Sequence, residues 1–339
     1  MEIQRESIMT SALRSFFRGL FGSAGFLIGI MIVGIIALSL LGGKPTGDET
    51  EVVIAADADG NRDLLPVSAP VILRINIHGE IGDRKLTGSN IKLQLDDSQG
   101  TMIKEGRVKG ILLHIDSPGG TVVDSDQIYR SLQDYKARYK VPIYAYVDGL
   151  CASGAMYIAA SSEKIYASPV SVVGSVGVIM GPMFNFYDLM EKLGIKAAVV
   201  AEGKNKDMMS PYREWKPDED ASLKNIVENE YQRFVNLVTE ARPRLDKEKL
   251  INEYGAQIYD SPTGEALGYI DDGDSDYAAA LTALIAACGI DEKTEYQVIE
   301  LEPPAVFWSD FIEGSLGLGK IKWMFDSSIK RKLQYLYHE

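Results

Sequence analysis

An α/β fold with mostly parallel strand pairing is what this sequence predicts, and three observations carry the prediction. Between residues 69 and 290, short β-branched runs alternate with stretches whose apolar residues recur at helical spacing. The runs are apolar at their centres, which suits strands buried on both faces of a parallel sheet. The composition, 46% hydrophobic and 24% charged, is that of a chain that packs a core.

Taken in order, the elements begin with an apolar segment. The stretch 19–43, GLFGSAGFLIGIMIVGIIALSLLGG, carries no charge and is long enough to cross a bilayer as a helix. It exceeds the h-region of a cleaved signal peptide, and the nearest small-residue cleavage site, Ala56 to Ala58, lies well past it. The expectation is one N-terminal transmembrane helix, an uncleaved signal anchor. Arg14 and Arg18 lie close before it and only Lys44 close after it. The positive-inside rule then puts residues 1–18 in the cytoplasm and the following domain outside the inner membrane, in a periplasm-like space. Residues 44–68 are rich in Gly, Asp, Glu and Ala and read as a flexible linker.

The domain at 69–290 follows. VILRINI (71–77) and GILLHI (110–115) read as strands, and DSDQIYRSLQDYKARY (124–139) as a helix with Ile128, Leu132 and Tyr135 on one face. PIYAYV (142–147) is a strand and AMYIAASS (155–162) a helix. KIYAS and SVVGSVGVIM read as extended, MFNFYDLMEKLG (183–194) as a helix and KAAVVA (196–201) as a strand. ASLKNIVENEYQRFVNLVTEARPRL (221–245) is a long amphipathic helix with Ile226, Tyr231, Phe234, Leu237 and Val238 in one stripe. YAAALTALIAACGI (277–290) is a second, very apolar helix. In the C-terminal segment 291–339, the aromatic-rich stretch 306–325 reads as a packing segment, an oligomer contact or a stretch resting on the membrane.

The formal charge of −13 argues against a nucleic-acid partner, because phosphate binding needs a basic face and none is visible. Two cysteines, Cys151 and Cys288, cannot form a disulfide framework and lack metal-ligand spacing. Nothing in the sequence calls for a metal or a cofactor.

Two stretches carry chemistry. In HIDSPGGTVVDSD (114–126) a strand ends in Ser117-Pro118, followed by two glycines and a helix. Glycines there leave N–H groups pointing outward, the geometry of an oxyanion hole or an anion nest. In DGLCASGAMYIAA (148–160) Ser153 sits among small residues at a turn from strand to helix, a setting that also serves plain packing. Two such strand ends side by side would let the Gly119 and Gly154 N–H groups face one carbonyl oxygen beside the Ser153 hydroxyl. A serine hydroxyl needs a base. His114 lies inside a strand and His338 is the penultimate residue, so the candidates are Lys204 and Lys206 in AEGKNKDMMSP (201–211). Lysine serves when burial disfavours its ammonium, and Ser-Lys pairs are a known variant of the serine nucleophile. The residues alone do not choose between the two lysines.

Taken together, DSPGG (116–120), DGLCASGAMYIAAS (148–161), GSVGVIM (174–180), GKNKDMMSP (203–211) and TGEALGYIDD (263–272) resemble the bacterial signal peptide peptidase A family in its single-domain form. The resemblance spans about residues 70–290, and the anchor fits it. It implies a Clp protease/crotonase-like fold and a membrane-anchored Ser-Lys endopeptidase that degrades cleaved signal peptides and other extended apolar peptides. By match to the family's motifs, Ser153 is the nucleophile, Lys206 the general base, Ser175 the serine that holds the lysine amine, and Gly119 with Gly154 the oxyanion hole, with Gly120 as the fallback. The resemblance further implies a homo-oligomer, an octamer, with serine and lysine contributed by neighbouring subunits. One departure stands out: the family carries Ser-Gly-Gly-Tyr at the nucleophile and this chain Ser153-Gly154-Ala155-Met156, which would put a methyl near the cleft. Two other readings remain. A crotonase-like acyl-CoA enzyme would need a basic cluster for the CoA phosphates, and none is visible; a catalytically inactive membrane-tethered scaffold that binds peptides would survive loss of Ser153.

Overall fold

The computed structural model describes residues 8–41, 50–83, 85–100, 103, 106–291, 293–302 and 334–336. Helix α1 (Ile8–Leu41) belongs to a unit separate from the body that begins at Thr50. The body runs through β1 (Glu51–Ala55), β2 (Val71–His78), α2 (Gly88–Asp97), β3 (Val108–Ser117), β4 (Gly119–Thr121) and α3 (Val122–Tyr139). It continues with β5 (Ile143–Ala152), α4 (Gly154–Ala159), β6 (Lys164–Ala167), β7 (Val172–Gly174), α5 (Tyr187–Lys192) and α6 (Ala221–Ala241). Then come α7 (Lys247–Lys249), a π-helical turn (Leu250–Tyr254), β8 (Ile258–Asp260), α8 (Ser261–Leu267), α9 (Tyr277–Ala287), β9 (Gln297–Glu302) and β10 (Gln334–Leu336).

The main sheet has the order β1-β9-β2-β3-β5-β7-β8, with β6 also on β5. Its centre is parallel, β9 to β2 to β3 to β5 to β7, and only the edges β1 and β8 pair antiparallel. The α/β expectation with mostly parallel pairing is met.

The period of two along each central strand shows why both faces are covered. On β2, Leu73, Ile75 and Ile77 enter one apolar cluster and Ile72 the other; on β3, Ile111, Leu113 and Ile115 oppose Leu112. The first cluster is closed by Ile91 and Leu95 of α2, Ile128 and Leu132 of α3, α4, and Phe234 and Val238 of α6. The second is closed by Leu281 and Leu284 of α9. Removing one of the wholly buried side chains, as in Leu132→Ala, costs about 2–5 kcal/mol.

Several elements depart from the sequence reading. KAAVVA at 196–201 forms no strand: residues 191–206 are all exposed, and among the described residues no sheet edge pairs with them. The helix expected over 183–194 contracts to α5. The linker expected over 44–68 is ordered in part, because Val52 and Ile54 pair with Leu301 and Ile299. From the segment 291–339, Gln297–Glu302 likewise enters the domain, as β9 between β1 and β2 in the sheet. Its stretch 306–325 lies outside the described residues.

Helix α1 covers the expected membrane segment 19–43 as far as Leu41; Gly42 and Gly43 lie outside the described residues. Among the described residues no helix is long and apolar enough to cross a membrane. The described side chains of α1 include Arg14 and Arg18, which lower its mean hydropathy, whereas the segment read from sequence starts after both.

Candidate active site

The site grows from two neighbouring strand ends. β3 and β5 run parallel with Ser117 opposite Cys151, so Pro118-Gly119-Gly120 leaves the sheet beside Ala152-Ser153-Gly154. A carboxylate ties the two exits: Asp116 Oδ1 accepts from the Leu150 N–H at 3.0 Å. β5 extends through Ala152, five residues past the run legible in sequence, because Leu150, Cys151 and Ala152 gain a partner in β7.

Ser153 stands at the turn into α4 with φ 55° and ψ −116°. That backbone is strained for a residue with a Cβ, and surrounding structure must hold it. It does: the Ser153 N–H donates to Gly174 O at 2.9 Å and its carbonyl accepts from the Tyr157 N–H at 3.0 Å. Tyr157, wholly buried, is fixed in turn by its hydroxyl on Asp126 Oδ1 at 2.9 Å, and Arg233 and Arg130 bind the same carboxylate. The Ser153 hydroxyl is buried and has no hydrogen-bond partner among the described residues. Ser161, Ser162 and Ser275 also bury unpartnered hydroxyls, but Ser153 alone among these four combines that with a positive φ. A buried polar atom left without a partner costs about 1–3 kcal/mol, so its retention calls for a reason.

The two glycines play different parts. The Gly119 N–H donates to Ser117 Oγ at 3.2 Å, so it is turned away from an incoming oxyanion. The Ile81 N–H donates to Gly119 O at 2.8 Å and the Thr121 N–H to Ile81 O at 2.9 Å. Alternate residues of an extended strand point their amides to opposite sides, so Gly120 turns its N–H and C=O to the edge opposite Ile81. The sequence reading preferred Gly119 as donor; here the Gly119 N–H is taken by Ser117 and the Gly120 N–H faces away from Ile81. Glycine is required there, because a Cβ on Gly120 would stand 1.9 Å from Ile81 O.

That edge carries a strand. β10 pairs antiparallel with β4, Tyr335 opposite Gly120 and Leu336 opposite Gly119. The chain's own C-terminal residues thus lie extended along the glycines next to Ser153, a contact that sequence gives no means to read.

Ser175 follows directly on the Ala152–Gly174 pair, the position next to Ser153 on the adjoining strand. It is buried, with φ 55°, and its N–H donates to Gln257 O at 2.7 Å. The expected nucleophile and helper serine are therefore neighbours. Lys206 is not joined to them within one chain: it is exposed, and the Ser153 hydroxyl has no partner. Lys206 lies on an arm from Gly177 to Asp220 in which only Met209 and Glu219 are buried. Leu193, Ile195, Val199 and Val200 are exposed on that arm, Val200 completely. Lys206 borders an open hollow of about 540 Å³ with Val199, Val200, Met208 and Tyr212.

Ala155 and Met156 are wholly buried in the first apolar cluster, so the departure from Ser-Gly-Gly-Tyr is absorbed in core packing and puts no methyl in an open cleft. Burial pushes the Cys151 thiol up to about 12, which leaves it unfit as a nucleophile. His78 and His114 bind each other at 3.0 Å, and His114 packs on Tyr146 and Tyr277 of the second apolar cluster, away from Ser153. Among the described residues no group of acidic, histidine or cysteine side chains could hold a metal ion.

The family model for peptidase family S49 matches residues 136–287, from the end of α3 to the end of α9. A protein of Synechocystis sp., provisionally named protease slr0021, is 34% identical over 239 residues, 69% of this chain and 81% of that protein. The chain belongs to peptidase family S49. A protein of Enterococcus faecium provisionally named signal peptide peptidase SppA is 32% identical over 209 residues. That match covers 59% of this chain, and the chain spans 59% of that relative's length. A solved ClpP1 chain from Listeria monocytogenes is 16% identical with a TM-score of 0.40, covering 61% of this chain and 94% of that one. The motif resemblance is borne out at the level of the family, and the S49 match encloses Ser153, Ser175 and Lys206.

Proposed function

We propose that this chain is a serine endopeptidase that cuts extended apolar peptides, cleaved signal peptides among them, with a Ser-Lys dyad completed between copies of the chain. The observation that carries the reading is Ser153: a buried, unpartnered hydroxyl on a strained turn, one strand from the amide edge of Gly120. In this reading Lys206 of a neighbouring copy takes the Ser153 proton, and the serine oxygen attacks the peptide carbonyl. The N–H groups of Gly120 and Gly154 hold the oxyanion, Ser175 orients the lysine amine, and the lysine proton passes to the leaving amine. Water, deprotonated by the same lysine, then opens the acyl-enzyme. Each oxyanion donor is worth about 2.7–4 kcal/mol in the transition state.

Three further features support it. The edge that would pair with a substrate already accepts an extended strand, β10. The arm bearing Lys206 exposes apolar side chains that a second copy would cover. The S49 membership sets peptide hydrolysis ahead of acyl-CoA chemistry. For the membrane, α1 exposes Phe16, Phe21, Phe26, Leu27, Ile30 and Val33 around its circumference, as a lipid-bound helix does. We infer an inner-membrane anchor with a cytoplasmic N-terminus and an extracytoplasmic body; extraction of the full chain by alkaline carbonate would refute the anchor.

The test compares the full chain with Ser153→Ala and Lys206→Ala on a fluorogenic apolar peptide, together with labelling by a fluorophosphonate. Cleavage and labelling of the wild type, with cleavage lost in both variants and labelling lost in Ser153→Ala, are expected. Folded, assembled protein that cleaves equally well without Ser153 would refute the proposal. Wild-type protein that binds the peptide without cutting it would favour the scaffold.

A further inference from the structure

The loop that bears Lys206 is built around one arginine. Lys206 lies between two non-glycine residues in the left-handed region, Asn205 (φ 60°) and Met209 (φ 54°), and its N–H donates to Gly203 O at 3.2 Å. Such a run of tight turns holds only if its surroundings over-determine it. Arg213 supplies that hold from the far side. Its Nε binds Asp207 Oδ2 at 2.7 Å and its Nη2 binds the Asp207 carbonyl at 2.8 Å, so it grips the residue next to Lys206 by side chain and backbone together. The same guanidinium forks onto Glu219, at 2.6 Å to Oε2 and 3.2 Å to Oε1. Glu219, only 4% exposed in its side chain, also accepts the Met209 N–H at 3.3 Å. The indole of Trp215 caps Ser210 O at 2.9 Å. Arginine beside them holds the Asp207 and Glu219 carboxyls below their ordinary range.

These bonds fall on Asp207, Met209 and Ser210, close after Lys206, in an arm that otherwise makes little contact with the core. A planar guanidinium can serve two carboxylates and a carbonyl at once, and an ammonium cannot. We propose that Arg213 is a positioning residue for catalysis: with Asp207 and Glu219 it fixes the loop in the geometry that delivers Lys206 to the Ser153 of a neighbouring copy. This rests on the reading of Lys206 as the base. A dyad assembled across two chains depends on the loop to set the direction of the lysine, and a displacement of about 1 Å in such a site costs about 10²-fold in rate.

The test uses full-length Arg213→Ala, Arg213→Lys, Glu219→Gln and Lys206→Ala, each checked for oligomer size and melting temperature. On a fluorogenic apolar peptide Arg213→Ala should lose about 10²-fold in kcat with KM within about threefold, because an interaction expressed in the transition state is lost and substrate binding is kept. Arg213→Lys should recover little of it, and added guanidinium ion should restore Arg213→Ala by at least about tenfold, which a merely structural defect would not allow. Should Arg213→Ala fail to assemble, Glu219→Gln, which keeps the shape and removes one charge of the fork, should assemble and lose about tenfold in kcat. Wild-type kcat in an assembled Arg213→Ala or Glu219→Gln, with Lys206→Ala inactive, overturns the positioning role and leaves the base intact. Wild-type kcat in Lys206→Ala overturns the base itself, and the positioning role with it.

Discussion

Gly120→Ala tests the site at its narrowest point. The added Cβ would stand 1.9 Å from Ile81 O and 2.6 Å from Ile81 C and N, all of them backbone atoms that no rotamer change can move. Real Cβ contacts stay above 3.0 Å, so β4 must withdraw from Ile81 by at least about 1.1 Å. That strains or breaks the Ile81 N–H to Gly119 O and Thr121 N–H to Ile81 O bonds, worth about 0.5–1.5 kcal/mol each in net stability. It also carries the Gly120 N–H away from the oxyanion position. Loss of one oxyanion donor lowers kcat by about 10²–10³-fold. The assay is initial rates of the full chain on a fluorogenic apolar peptide, with Ser153→Ala as the zero and melting temperature as the control for folding. Gly119→Ala is the informative comparison. Gly119 has φ 98°, so alanine there costs strain, about 1–3 kcal/mol, but its N–H serves Ser117 and the kcat loss should be much the smaller of the two. A folded, assembled Gly120→Ala enzyme with kcat within about threefold of wild type would refute the oxyanion assignment.

Mixing inactive Ser153→Ala with inactive Lys206→Ala under conditions that exchange subunits should restore activity, up to about a quarter of wild type, because some neighbouring pairs regain one intact serine and one intact lysine; no recovery after verified exchange would place both residues in one chain. A chain ending at Glu302 lacks β10, the strand seated on Gly119–Thr121, and should show a KM lower by about tenfold for a short peptide, since a tethered competitor acts at high effective concentration; an unchanged KM would show that β10 does not compete for that edge. Burial, with Arg74 and His78 nearby, lowers the His114 pKa to about 4 against the opposing pull of Asp148. The unfolded chain therefore binds the proton first as pH falls below about 6.5, so stability should decline from pH 6.5 toward pH 4, by about 3 kcal/mol at most. His114→Asn should flatten that slope in urea titrations across the window, and an unchanged slope would assign it elsewhere.

The sequence by itself determined the layered plan and the chemistry-bearing residue types. Ile72, Leu112 and Leu281 announce their burial by period and apolarity, because the side-chain direction of a strand or helix is a local property. The same locality made Ser153 and the paired glycines visible: a strained turn demands small residues wherever it occurs. Tertiary structure decided what depends on partners distant in the chain. KAAVVA has strand composition but pairs with no edge among the described residues, and composition cannot supply an edge. β9, which begins 219 residues after the end of β2, takes its place beside it through long-range pairing alone. Which glycine offers its amide turned on the contact of β4 with Ile81 and on Ser117 Oγ, two relations set by the fold and absent from any motif. The hold of Arg213 on Asp207 and Glu219 is of the same kind: a loop of irregular backbone has no period to read, and its order comes from hydrogen bonds that only three dimensions bring together.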